Sequence, residues 1–262
     1  MNGFSVLLAF GAVIGLGWAV WLAPGKRASR YVDIGLGLLA GALLGGRVLF
    51  VALNWPYFRL HPLEIGQVWL GGLSGAGALF GGLLAVALAA TLTRQPLGAL
   101  ADLYLPLVMS VTISAWLGCW LAGAAYGHAL ASGWGMPARD EWGGLSLRFP
   151  LQLLGALLTL LLFYLLDQAR QKNRSLLRRN RLALFRCLSR PGLVSGLALL
   201  GLGLELAGLS LLRADPGMAW RGLRLEVWGG LALAALGLVW SLLVFLPRPE
   251  KIFARFGKPV AG

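Results

Sequence analysis

Two ionisable side chains lie inside otherwise apolar stretches of this 262-residue chain. Arg47 closes the run Gly45-Gly46-Arg47, and Glu205 lies among leucine, glycine and alanine. An intramembrane carboxylate is by default a candidate functional residue, because charged groups are costly inside a bilayer. Arginine can bind a phosphate through two parallel hydrogen bonds. We expect Glu205 either to pair with Arg47 or to accept hydrogen bonds from a neighbour, while Arg47 also suits an interface or ion-paired position.

The other residues that could take part in catalysis or metal binding have no partner residue at the spacing that such a site needs. His61 and His128 show no ligand or dyad spacing, and Ser74 has no nearby base that could make it a nucleophile. Cys119 and Cys187 lie in different segments, and both are interpreted as small apolar side chains. Walker, HExxH, GxSxG and CxxC patterns do not occur in the sequence. The sequence therefore predicts no metal site and no cofactor.

The composition indicates a membrane protein. Hydrophobic residues make up 58% of the chain and charged residues 13%, about half the charged fraction of a soluble domain. The mean hydropathy is +0.76. Because no polar stretch is long enough for a separate water-soluble domain, we expect one transmembrane domain over residues 1–262. The 38 glycines suit helices that approach one another closely in a bilayer.

Seven apolar stretches are long enough to span a bilayer, which needs about 20 residues each. They cover roughly 4–23, 32–53, 68–92, 103–127, 149–167, 191–212 and 224–246. The first stretch has no basic residues before it, so we expect a retained helix and not a cleaved signal peptide. The fold class predicted is an all-α integral membrane bundle of about seven helices.

Basic residues are in excess in alternate loops. The 1–2, 3–4 and 5–6 loops and the C-terminal tail carry this excess, which places them in the cytoplasm and the N-terminus outside. This placement in short loops also explains the net charge of +13 without nucleic-acid binding. The basic 5–6 loop is interpreted as a topology anchor or as a helix lying on anionic lipid.

The two longer outer loops, residues 54–67 and 128–148, are expected to lie on the membrane as short helices. Their aromatic residues suit the outer interface, where amphipathic rings settle: Trp55, Tyr57, Trp134 and Trp142. Small-xxx-small faces run along the second and third spans. These faces suit either a partner subunit or packing within the bundle, and they consist of Gly37, Gly41, Gly45, Gly77 and Gly81.

Five motifs, in order along the chain, resemble the prolipoprotein diacylglyceryl transferase family. The first two are Gly45-Gly46-Arg47 and the segment from His61 to Ser74, which includes Trp69-Leu70-Gly71-Gly72. The later ones are Asp102 with Pro106, the segment 118–127 together with Phe149-Pro150-Leu151-Gln152-Leu153, and Arg213-Ala214-Asp215-Pro216. The resemblance implies a bacterial inner-membrane protein that acts on phosphatidylglycerol and moves its diacylglyceryl group to a lipobox cysteine.

This sequence departs from the family's pattern where the chemistry would need polar groups. The histidine of the family's third-helix motif falls at Ala76, and the signature arginine falls at Trp116. Apolar or small residues also replace family polar residues at Cys119, Ala122, Ala124, Phe149, Leu154, Leu206 and Ser210. Among surviving polar residues, Arg47, Asp102 and Arg213 are the candidates for binding lipid.

Three hypotheses remain open from the sequence. The missing polar residues favour a non-catalytic relative that binds phospholipid or serves as a structural accessory subunit beside other membrane proteins. The alternative is an active phosphatidylglycerol–prolipoprotein diacylglyceryl transferase in lipoprotein maturation that uses Arg47, Asp102 and Arg213. A second alternative is a small transporter or channel subunit, although such proteins usually carry more intramembrane ionisable groups.

Overall fold

The computed structural model describes residues 3–25, 28–68, 71–131, 135–140, 142–179 and 190–246. In the helix that begins at Leu151, the side chains are described through residue 170. The helices are α1 Gly3–Leu22, α2 Ala28–Leu53, α3 Trp55–Phe58, α4 Gly75–Thr93, α5 Leu97–Leu103, α6 Leu105–Leu121, α7 Leu151–Arg179, α8 Leu193–Leu211 and α9 Leu225–Phe245. A 3-10 helix covers Pro62–Gly66, and two antiparallel hairpins pair β1 Met136–Arg139 with β2 Leu145–Arg148, and β3 Ala219–Trp220 with β4 Leu223–Arg224.

Six of these helices are long and apolar enough to cross a membrane. Helices α5 and α6 form a seventh span that bends by 47° at Tyr104. Pro106 follows the bend and has no N–H to donate, so the helical hydrogen-bond ladder is interrupted there. The buried hydroxyl of Tyr104 donates to the carbonyl of Tyr31 at 2.5 Å, which fixes the bend against α2. The predicted all-α integral membrane fold is confirmed.

The predicted limits of two spans are corrected. The third span begins at Gly75 and not near residue 68, because Gly71 and Gly72 have φ angles of +91° and +76°, outside the helical region. The fourth span begins at Leu97 instead of 103, and it ends at Leu121 instead of 127. It ends early because Gly123 takes a φ of +65°.

Every second loop along the sequence lies at the same end of the bundle. At one end, Arg213 forms a bridge with Gly127, and the N–H of Ala214 donates to Tyr126 at 2.9 Å. At the other end, Arg30 donates to the carbonyl of Thr93 at 3.1 Å. We call the first the outer end and the second the inner end, following the charge-based prediction. That prediction of which end faces the cytoplasm stays a prediction.

The outer loops differ from the sequence-based expectation in one case. The 2–3 loop contains the short helices α3 and Pro62–Gly66, as predicted. The 4–5 loop was expected to be helical and instead forms the β1–β2 hairpin, so that prediction is wrong. The reason is the turn: Asp140 Oδ1 accepts from the N–H groups of Trp142 (3.1 Å) and Gly144 (2.7 Å), which reverses the chain.

The basic segment after the fifth span continues the spanning helix. Helix α7 has 29 residues, a length of about 43 Å at 1.5 Å per residue. A bilayer core is about 30 Å thick, so the last part of α7, which carries Arg170 and the basic residues that follow, extends beyond it. The rest of the predicted 5–6 loop, residues 180–189, lies outside the described residues, as do the basic residues of the C-terminal tail.

The glycine faces pack inside this chain. A Cβ added at Gly45 would lie 2.6 Å from the Cα of Gly81, and one added at Gly77 would lie 2.5 Å from the Gly45 carbonyl oxygen. Helices α2 and α4 therefore touch backbone to backbone. Gly37 is different, because a Cβ there would meet nothing within 4 Å. Internal packing thus accounts for Gly41, Gly45, Gly77 and Gly81, and not for Gly37.

Gly81→Leu is expected to destabilise the protein, because the side chain would separate α2 from α4. Overpacking of this kind typically costs about 1–3 kcal/mol. Thermal unfolding in detergent should show a lower midpoint for Gly81→Leu and little change for Gly37→Leu. Equal midpoints for the two variants would contradict the α2–α4 contact.

The orientation can be tested with single cysteines in a Cys119→Ser, Cys187→Ser background. Trp142→Cys lies on the exposed tip of the β1–β2 hairpin, and Ser29→Cys is exposed at the start of α2. A membrane-impermeant maleimide added to intact cells should label Trp142→Cys, and should label Ser29→Cys only after lysis. The reverse pattern would overturn the predicted orientation.

Candidate functional site

Glu205 joins three helices in the outer half of the bundle. Its Oε1 accepts hydrogen bonds from Trp116 Nε1 on α6 at 2.9 Å and from Thr159 Oγ1 on α7 at 2.7 Å. Thr159 is fully buried and Trp116 nearly so. The hypothesis that Glu205 pairs with Arg47 is therefore wrong, and the alternative of hydrogen bonds from neighbours is confirmed. We call these three residues the Glu205 cluster.

A second polar group lies at the outer end of α8. Arg213 binds Asp215 through two parallel hydrogen bonds, from Nε at 2.8 Å and from Nη2 at 2.5 Å. Arg224 lies 3.5 Å from both Asp215 and Glu226, and Arg213 lies 3.8 Å from Glu226. We call these four residues the outer arginine cluster. Its two positive and two negative side chains are mostly buried and balance one another.

The hydrogen bonding of the outer arginine cluster is incomplete within the described part of the chain. Arg224 Nε and Nη2 and Glu226 Oε2 are buried and have no hydrogen-bond partner, although ion-pair contacts exist. Burial lowers the pKa of Arg213, but the hydrogen bond and charge of Asp215 and the charge of Glu226 raise it further, so the net pKa is above the ordinary value. Arg224 therefore has two buried N–H groups whose nearest acceptors, on Asp215 and Glu226, lie 3.5 Å away.

Arg47 holds the outer 2–3 loop in place. Its guanidinium donates to the carbonyl oxygens of Ile65 (2.8 Å), Gly71 (2.7 Å), Gly72 (3.0 Å) and Glu64. The guanidinium also lies 5.9 and 5.2 Å from two phenylalanine rings, of Phe50 and Phe58. This explains why a buried arginine is tolerated without a carboxylate partner among the described residues. Contact between Arg47 and lipid, suggested by the sequence, stays a prediction.

Asp102 stabilises the start of α8 at the inner end. Its carboxylate accepts from the N–H groups of Gly192 at 2.8 Å and Ser195 at 2.9 Å, which the first turn of a helix leaves unpaired. Arg213 follows the opposite end of α8, which has 19 residues and a length of about 28 Å. The structure therefore does not bring Asp102 into one site with Arg213.

Two of the positions where the sequence predicts a replaced family residue lie at the Glu205 cluster. Trp116 is itself part of the cluster, and Leu206 follows Glu205 on α8. Ala76 is buried where α4 meets α9, and a Cβ added at Gly229 would lie 2.8 Å from its methyl group. The remaining replaced positions are Cys119, Ala122, Ala124, Phe149, Leu154 and Ser210.

Several site residues were missed by the sequence analysis. Thr159 is the one polar residue between Leu153 and Phe163 in the fifth span, and this isolation was an available signal. Arg224 and Glu226 immediately precede and begin the last span, where charged residues are ordinary. Only the fold brings them to Arg213. His61, by contrast, packs on Tyr57 in the outer loop, with ring centroids 4.5 Å apart, as expected of a loop residue.

Comparison with known proteins decides the family. The prolipoprotein diacylglyceryl transferase family matches residues 1–243 of the chain. The chain belongs to this family. A relative from Trichormus variabilis is 32% identical over 116 residues, which is 43% of this chain and 41% of the relative. One from Bacillus licheniformis is 30% identical over 138 residues, 50% of this chain and 49% of the relative.

A third relative, from Nocardia farcinica, is 28% identical over 141 residues, 52% of this chain and 29% of the relative. All three are named phosphatidylglycerol–prolipoprotein diacylglyceryl transferase. The matched regions span less than half the length of these relatives. As a member of this transferase family with six or more membrane-spanning helices, the chain is a multi-pass protein of the bacterial inner membrane. Membership removes the support for an unrelated transporter or channel.

Asp102→Ala is expected to destabilise the membrane fold, because two N–H groups at the start of α8 would lose their acceptor. Each unsatisfied buried group costs about 1–3 kcal/mol. The measurement is the thermal midpoint in detergent, with Asp33→Ala, an exposed acid on α2, as the matched control. A midpoint equal to that of the control would show that Asp102 does not support α8.

Proposed function

We propose that this family member transfers the diacylglyceryl group of phosphatidylglycerol to the cysteine thiol of a prolipoprotein, the reaction named for its relatives. The observation that carries the proposal is the outer arginine cluster above the intramembrane Glu205 cluster. Together they provide two guanidinium groups at headgroup depth and a carboxylate deeper in the bilayer. Of the three sequence candidates, Arg213 has this role; Arg47 and Asp102 support the fold.

The cluster suits a phosphate in both charge and geometry. Arg224 Nε and Nη2 are buried against Asp215 and Glu226, so a phosphodiester would accept from both in parallel after displacing these carboxylates. This parallel arrangement is the one in which arginine binds phosphate best. Helix α9 begins at Leu225, directly after Arg224, and the N-terminus of a 21-residue helix also favours an anion. The two carboxylates, Asp215 and Glu226, keep the arginines in place when no lipid is bound.

The reaction itself is an alkyl transfer. The thiol sulfur attacks the glyceryl carbon that carries the phosphate, a C–S bond forms, and the C–O bond to the phosphate breaks. The leaving glycerol phosphate takes the electron pair and gains negative charge. Stabilising that developing charge is the contribution expected of Arg213 and Arg224.

A second candidate function is a non-catalytic lipid-binding or accessory member of the family. Two observations favour it. Trp116 occupies the position of the signature arginine, and its indole fills space against Gly155, where an added Cβ would lie 2.5 Å from the ring. The sequence motifs also place Ala76 at the family's histidine, and Ala76 is buried where α4 meets α9. In this case the outer arginine cluster would hold a lipid without reacting with it.

The test is complementation of bacteria depleted of their own diacylglyceryl transferase. We expect the wild-type chain to restore growth and the mobility of a reporter lipoprotein. Arg224→Gln should lower lipid modification by about 10- to 100-fold, since a hydrogen bond to a charged group is worth about 1.5–3 kcal/mol. Arg221→Gln, on the exposed β3–β4 turn, is the matched control and should behave as wild type.

Failure of the wild-type chain to restore modification, at verified expression, would refute the transferase proposal. The second candidate then predicts that phosphatidylglycerol copurifies with the wild-type protein, and that Arg224→Gln lowers the amount bound. Equal lipid content in Arg224→Gln and Arg221→Gln would refute lipid binding by the cluster as well.

A further inference from the structure

Glu205 lies on α8 near Leu206 and Ser210, the positions near which the sequence motifs place an arginine and a glutamate of the family. Among the described residues no cation lies within ion-pair distance of its carboxylate. Its charge is instead stabilised by two neutral donors, Trp116 and Thr159. A carboxylate kept inside a bilayer at this cost is expected to serve a purpose.

The two oxygens of Glu205 have different environments. Both donors bind Oε1, and Oε2 has no hydrogen-bond partner in the described part of the chain. Oε2 is also absent from the fully enclosed polar atoms, and the residue as a whole is only half-buried. The carboxylate is therefore held through one oxygen, while the other oxygen is not enclosed by the described part of the chain.

The depth of Glu205 in the bilayer also suits a position near the glyceryl carbons of a bound phospholipid. It lies six residues before the end of α8, about 9 Å along the helix axis. The outer arginine cluster follows that end directly. A phospholipid whose phosphate contacts Arg213 and Arg224 has its glyceryl carbons on the bilayer side of the phosphate, which is the side of Glu205.

We propose that Glu205 Oε2 accepts the proton of the prolipoprotein cysteine as its sulfur attacks the glyceryl carbon. The S–H proton passes to the carboxylate, the C–S bond forms, and the C–O bond breaks with its electron pair leaving on glycerol phosphate. The protonated Glu205 then returns the proton to the leaving phosphate or to water. Trp116 and Thr159 are positioning residues, because their hydrogen bonds fix Oε1 and orient Oε2.

This inference rests on the proposed transferase function, and it differs from a purely structural role for Glu205. A structural role needs only an acceptor for Trp116 and Thr159, which the amide oxygen of glutamine also supplies. Accepting a proton needs a carboxylate. Glu205→Gln therefore separates the two roles without removing the contacts among α6, α7 and α8.

The experiment uses the full chain in nanodiscs that contain phosphatidylglycerol, with a lipobox peptide as acceptor. General-base catalysis contributes about 10²–10⁴-fold, so Glu205→Gln should lower kcat by at least about 100-fold while KM for the peptide and the thermal midpoint stay near wild type. Glu205→Asp should retain part of the activity.

A selenocysteine peptide makes the test independent of folding losses. A selenol is already ionised near neutral pH, so it needs no base, and its transfer should be nearly equal in wild type and Glu205→Gln. If Glu205→Gln lowers transfer to both peptides equally, or transfers to cysteine within threefold of wild type, the proposed role of Glu205 is overturned. The proposed transferase function would still stand. If wild type transfers to neither peptide, the proposed function fails together with this inference.

Discussion

Polar groups inside a bilayer must find hydrogen-bond partners within the protein, because hydrocarbon offers none. Three ionisable residues in this chain show how the fold meets that constraint. Arg47 donates to four backbone carbonyls of the outer loop, Asp102 accepts from the first turn of α8, and Glu205 accepts from Trp116 and Thr159. Each of these networks joins segments distant in sequence, so each also fixes how the helices are arranged.

The same constraint separates residues that stabilise the fold from those available for chemistry. Arg47 and Asp102 have their hydrogen-bonding capacity filled by this chain. Glu205 keeps one oxygen open, and Arg224 keeps buried donors without hydrogen-bond acceptors among the described residues. A ligand that brings a phosphate and a proton donor would complete both groups, and these are the features of the two substrates in the proposed reaction.

Family membership and local chemistry point in different directions at one place. The family match covers residues 1–243, whereas the sequence motifs predict that Trp116 falls where the family has its signature arginine. In this structure the indole does not simply fill a lost site, because it donates to Glu205.

The sequence by itself determined the membrane fold and the family. Hydropathy, the alternation of basic loops and the ordered motifs depend on local composition, so they are readable without contacts. Only the tertiary structure decided where the third and fourth spans begin and end. It also decided that the 4–5 loop forms the β1–β2 hairpin and which residues bind Glu205. The positive glycine φ angles and the side-chain turn at Asp140 are local, but hydropathy does not report them. The hydrogen bonds of Trp116 and Thr159 to Glu205 join residues 89 and 46 positions apart in the chain. Sequence periodicity carries no information about such distant pairs, because the hydrogen bonds that satisfy a buried polar group depend on which helices become neighbours.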